Sequence, residues 1–196
     1  MKSKKTVFWI AAALILLIVG ASVLYNQLGS QMGTDQLKAE ETKEQGTVDE
    51  SETEKEVIEA PNFTVYDGDG NEVLLSEYLG KPIVLNFWAS WCGPCQNEMP
   101  DFHEKYLELE EDVQFLMINM TDGSRETVET ASEFISEKEY TFPVFFDTDM
   151  DAAMTYGAYS LPTTFFINSD GHVIAHAKGA IDKETLQRGI DMIFTE

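Results

Sequence analysis

The sequence predicts an α/β fold, a central mixed sheet with helices on both faces, and three observations predict it. Residues 82–89 and 113–119 are apolar runs of strand length without polar alternation, as strands buried on both faces require. Helical stretches alternate with these runs. Residues 163–168, the turn Ser169-Asp170-Gly171 and residues 172–177 then read as a closing hairpin, followed by a last helix.

In order, residues 62–66 alternate, Asp67-Gly68-Asp69-Gly70 is a turn signal, and 72–75 resumes, which predicts an N-terminal β-hairpin. Residues 76–80 form a short helical turn closed by glycine. After the strand at 82–89 comes Trp91-Cys92-Gly93-Pro94-Cys95, then a helix from about Cys95 to Glu110, kinked at Pro100 for want of a backbone donor. The apolar spacing predicts an amphipathic helix over 126–139 with Val128, Ala131, Phe134 and Ile135 inward. A short strand at 144–146 and a short helix at 150–156 lead to the hairpin, and Asp182 caps the final helix to about Phe194.

Residues before this domain divide in two. Lys2, Lys4 and Lys5 precede the uncharged, mostly apolar residues 7–24, which as a helix span about 27 Å, near the bilayer's hydrocarbon thickness. Bases before the span and acids after it predict an uncleaved signal anchor in residues 1–29, N-terminus cytoplasmic and body outside, at the cell membrane. A cleaved signal peptide is the competing reading. Residues 30–60 hold ten acids, three lysines and no aromatic residue, the composition of a disordered acidic linker. Residues 61–196 form the domain. The net charge of −22 excludes nucleic acid, whose phosphates it repels.

Cys92 and Cys95 are the only cysteines. A thiolate is the nucleophile, and a helix N-terminus stabilises it through unpaired N–H groups and the helix dipole. Cys92 is therefore read as the exposed attacking thiol and Cys95, one turn in, as the buried resolving thiol, with Pro94 suiting the helix start. Two cysteines and the scattered His103, His172 and His176 do not make a zinc site, and Gln96 after Cys95 excludes C-x-x-C-H haem attachment. A purely structural disulfide would close too small a loop to gain much. The redox group is the Cys92–Cys95 pair itself, with no bound cofactor.

Trp91–Cys95 behind Phe87-Trp88-Ala89-Ser90 resembles the thioredoxin superfamily, and residues 86–100 resemble its membrane-anchored TlpA/ResA-like branch. Phe142-Pro143-Val144 resembles that branch's central βα insertion, and residues 156–167 resemble the loop facing the cysteines. The resemblance implies a thioredoxin-like fold, a cis-proline at Pro162 beside the disulfide, and a substrate shelf at Leu161. It places Glu98 near the cysteines, where a raised pKa suits it to relay the proton of Cys95. Trp91, Gly93 and Pro94 complete the substrate-facing set, and Trp91 shields the site, with Trp88 read either as a second shield or as core. Thioredoxin's usual buried Asp is Asn86 here, which shifts the base role to Glu98. ResA-like proteins often carry Glu between the cysteines, where this chain has Gly93-Pro94.

The implied activity is reduction of disulfide-containing proteins outside the cytoplasm, with electrons from a CcdA/DsbD-like membrane protein. The substrates implied are apocytochrome c or proteins of envelope or spore assembly. Two alternatives stand beside it. A thiol peroxidase of peroxiredoxin type shares the fold, but Ser90-Trp91-Cys92 lacks the P-x-x-x-T/S-x-x-C context, and the only arginines are Arg125 and Arg188. A non-catalytic tethered binding module is the other.

Overall fold

Two largely apolar runs become the centre of the sheet. The computed structural model describes residues 37–39 and 58–194, so the expected span at 7–24 and most of the linker lie outside the described residues. The strands are β1 Leu37–Ala39, β2 Thr64–Tyr66, β3 Glu72–Leu74, β4 Ile83–Trp88, β5 Gln114–Asn119, β6 Val144–Phe146, β7 Thr163–Ile167 and β8 Val173–Lys178. The helices are α1 Gly93–Leu109, α2 Val128–Glu137, α3 Asp151–Tyr156 and α4 Lys183–Phe194, with a 3₁₀ turn at Leu75–Tyr78. The sheet order is β1-β8-β7-β4-β5-β6-β2-β3. β4 runs parallel to β5 and antiparallel to β7, so the sheet is mixed, as the alternation of elements predicts.

The alternation of a strand's side chains sorts β4 between two cores. Val84 and Trp88 join Met99 and Phe102 of α1, Ala131 of α2 and Leu186, Ile190 and Ile193 of α4. Ile83, Leu85 and Phe87 join Leu75, Ala152 and Ala153 on the opposite face. Both faces of β4 are buried, which is why its sequence carries no polar alternation. α4 reaches the sheet so closely that a Cβ on Gly189 would clash with the Phe166 ring.

Three expectations change. Leu37–Ala39, inside the segment read as a disordered linker, pairs antiparallel with β8, Leu37 opposite Ala177 and Ala39 opposite Ala175. An edge strand supplies backbone donors and acceptors to any extended segment, so this pairing asks little of the sequence that joins it. The helix expected from 126 begins only at Val128, capped by the Thr127 side chain, which accepts from Thr130 N at 3.2 Å. The delay has a cause: Asp122 Oδ1 accepts from the amides of Ser124, Arg125 and Glu126 at 2.7–3.0 Å and holds the chain in a turn. Val128, expected inward, is exposed, while Ala131 is buried and Phe134 and Ile135 pack against the core. α1 runs on through Pro100.

Candidate active site

β4 ends at Trp88, and the chain turns once before α1: Cys92 N donates to Ala89 O at 3.1 Å, and Gln96 N donates to Cys92 O at 3.0 Å. Cys92 is the N-cap of α1, and its sulfur accepts from Cys95 N at 3.2 Å. One unpaired helix donor thus points at the reactive sulfur, which favours its thiolate. The two cysteines form a disulfide. Cys92 is 4% exposed and Cys95 0%. The order of exposure matches the assigned roles, but Cys92 is far less open than expected, because its sulfur folds back over the first turn of α1. The surface offered around it consists of exposed Gly93 and Pro94 and of Trp91, which is 40% exposed.

Glu98, one turn beyond Cys95, is buried. Its Oε1 accepts from Asn86 Nδ2 at 2.9 Å and its Oε2 from Ile181 N at 2.9 Å. Asn86 Nδ2 also donates to Thr164 Oγ1 at 3.0 Å, and Asn86 Oδ1 has no hydrogen-bond partner. Burial pushes the Glu98 carboxyl up to about 7, against the two N–H donors, which favour the anion. Asn86, read as a lost base, thus holds and orients the carboxyl that replaces it. A carboxyl titrating near neutrality, one helical turn from a cysteine, is suited to exchange a proton in either direction.

The opposite wall comes from the start of β7. Phe87 pairs with Thr163, so Pro162 enters the sheet beside the C-terminal end of β4, after which the cysteines follow. The Leu161–Pro162 peptide is cis. Pro162 O accepts from Gly179 N at 2.9 Å, and half-buried Leu161 packs against the core that contains both cysteines. Cys92, Cys95, Glu98, Leu161 and Pro162 thus gather around the C-terminal end of the central strand β4. Trp88 is wholly buried, with Phe134 beside it, and belongs to the core rather than the rim.

Sequence reasoning missed the loop from β5 to α2. Arg125 lies over the Trp91 ring, its guanidinium carbon 3.4 Å from the centroid. Glu126 is buried and bonds Ser90, the residue before Trp91. In the sequence Arg125 is one of two arginines, and Glu126 is the first residue of the helix expected over 126–139. No local signal distinguishes either from a surface charge. Among the described residues no group of His, Cys, Asp and Glu is placed to hold a metal ion.

The AhpC/TSA family profile matches residues 58–176. Thiol-disulfide oxidoreductase ResA of Bacillus thuringiensis subsp. konkukian is 38% identical over 136 residues, 69% of this chain and 76% of that protein. A solved Chlorobium tepidum protein assigned as a thiol:disulfide interchange protein, DsbE, superposes with a TM-score of 0.62 at 30% identity, over 68% of this chain and 94% of its own. StoA from Bacillus subtilis shares the fold, with a TM-score of 0.57 at 24% identity, over 66% of this chain and 96% of its own. With the disulfide at the start of α1, these likenesses establish that the chain belongs to the AhpC/TSA family of thioredoxin-like proteins and is a thiol–disulfide oxidoreductase of the ResA type.

Proposed function

We propose that this protein is a membrane-tethered reductant of protein disulfides outside the cytoplasm. The observation that carries the reading is the Cys92–Cys95 disulfide at a helix N-terminus, one turn from a buried Glu98 carboxyl poised at about 7. In the reduced protein, the Cys92 thiolate attacks one sulfur of a substrate disulfide and releases the other as a thiolate. Glu98 takes the proton of Cys95. The Cys95 thiolate then attacks the sulfur of Cys92 and expels the second substrate sulfur. The substrate gains two electrons, and the protein is left as the Cys92–Cys95 disulfide.

Gly93-Pro94 between the cysteines resembles reducing thioredoxins and supports this direction. Residues 7–24, with lysines before and acids after, support a tether with the domain outside. A reductant there needs electrons from across the membrane, the role we assign to a CcdA/DsbD-like donor. Apocytochrome c and envelope or spore-coat proteins are the substrate classes. The reduction potential of the full-length protein tests the direction. A value near thioredoxin's, about −270 mV, supports the reading, and one near the strong oxidants, about −120 mV, overturns it.

One observation favours the peroxidase reading: Arg125 lies over Trp91, the neighbour of Cys92. Ala89, three residues before Cys92, stands where that chemistry places Thr or Ser. Rapid consumption of hydrogen peroxide by the reduced protein, lost in Cys92→Ser, would establish it.

A further inference from the structure

Ser90 joins the end of β4 to Trp91 and Cys92, and it is held from outside its own segment. Glu126 Oε1 accepts from Ser90 N at 2.8 Å, and Glu126 Oε2 accepts from Ser90 Oγ at 2.7 Å. Oε1 also accepts from Asn119 Nδ2 at 2.8 Å. Asn119 ends β5; its Oδ1 accepts from Thr121 Oγ1 at 2.7 Å, and its carbonyl accepts from Asp147 N at 2.9 Å. The carboxylate thus ties the active-site turn to the rigid end of a central strand. The adjacent residue, Arg125, covers Trp91. Two consecutive residues of one loop therefore hold two consecutive residues of the other, Glu126 from inside and Arg125 from outside. The Asp122 carboxylate, bonded to three amides of the gripping loop, keeps that loop from yielding.

We propose that Glu126 is a positioning residue for disulfide exchange: by fixing Ser90 it holds Cys92 at the N-cap of α1, with its sulfur on the Cys95 amide. The inference deepens the exchange reading and rests on it. A side chain of this length reaches Ser90 and Asn119 together. One methylene shorter, it reaches only one of them. When Ser90 shifts, the 3.2 Å contact from Cys95 N to the Cys92 sulfur loosens, and the thiolate loses a donor.

The test is iodoacetamide alkylation of Cys92 against pH in the reduced full-length protein, for Glu126→Ala, Glu126→Asp and Glu126→Gln. Glu98 and Arg125 are left in place in all three. Glu126→Asp and Glu126→Ala are expected to raise the alkylation midpoint by about one pH unit, slowing the reaction about tenfold at pH values well below the midpoint. Glu126→Gln keeps the length and an accepting oxygen, and the Ser90 hydroxyl can turn to accept from its amide, so it is expected to stay within about threefold of wild type. If Glu126→Ala does not fold, Glu126→Asp against Glu126→Gln carries the test. A wild-type profile in Glu126→Asp overturns the proposal. So does a Glu126→Gln profile as shifted as Glu126→Asp, because the charge rather than the position would then matter. Turnover of oxidised glutathione by the wild type tests the exchange reading separately, since alkylation needs no disulfide substrate.

Discussion

Two buried glutamates flank the cysteine motif, and the difference between them lies in their donors. Glu98 stands on the helix that carries both cysteines and has two donors, a side-chain amide and a backbone N–H. Burial prevails over those donors, and the group sits near 7. Glu126 stands in a neighbouring loop and has three donors, two of them from the single residue Ser90. Glu98 lies one helical turn from Cys95, where we propose that it exchanges protons, whereas Glu126 binds the chain that leads into the motif. Residue type alone does not separate the two positions, whereas the donors and what they are attached to do.

The largest expected break in this comparison is Glu126→Ala. It leaves the Ser90 amide and the buried Asn119 amide group without an acceptor, at about 1–3 kcal/mol each, so a stability loss of about 4 kcal/mol is expected in urea unfolding. A loss below about 1 kcal/mol would show that water replaces the carboxylate easily and that the loop is not anchored through it.

Glu98→Gln comes next and is visible in pH dependence. Burial raises the folded-state value from the ordinary 4.5 to about 7, so the folded protein binds more protons than the unfolded chain within that window. Stability therefore falls as pH rises through the window and stays lowered above it, by about 3 kcal/mol in all. Glutamine removes this slope, and Asn86 can turn its unpaired oxygen toward the new NH₂ group. Denaturation midpoints at about pH 5 and about pH 8 should converge between variant and wild type at the lower pH and favour the variant at the higher. Parallel curves would remove Glu98 as the titrating group.

Arg125→Ala is the smallest. An exposed cation over an aromatic ring contributes about 0.5–1 kcal/mol, so stability should barely change while the fluorescence of Trp91 shifts. A destabilisation above about 2 kcal/mol would make Arg125, not Glu126, the main grip on the active-site turn.

The comparison also marks what could be read beforehand. β4 and β5 were legible because a strand buried on both faces leaves a largely apolar run without alternation, and β7 was legible from the Ser169-Asp170-Gly171 turn of its hairpin. Cys92 and Cys95 were legible from spacing and chemistry, and Pro162 and Glu98 from a resemblance carried onto matching positions. Glu126 was hidden because the expected helix starts at it. Asp122 captures three amides and the helix begins only at Val128, so Glu126 becomes a buried ligand of Ser90 instead. β1 was hidden for the opposite reason, since its pairing uses backbone groups that every residue has. The low exposure of Cys92 depends on how its sulfur folds over α1, which no spacing records.

The most direct test of the account is mixed-disulfide trapping with the two single-cysteine variants of the full-length protein. Cys95→Ser should accumulate covalent, reductant-sensitive adducts with disulfide-containing proteins, because Cys92 attacks and nothing resolves the product. Cys92→Ser should accumulate almost none, since Cys95 is wholly buried. Equal trapping by both variants, or none by Cys95→Ser, would contradict the assignment of Cys92 as the attacking thiol.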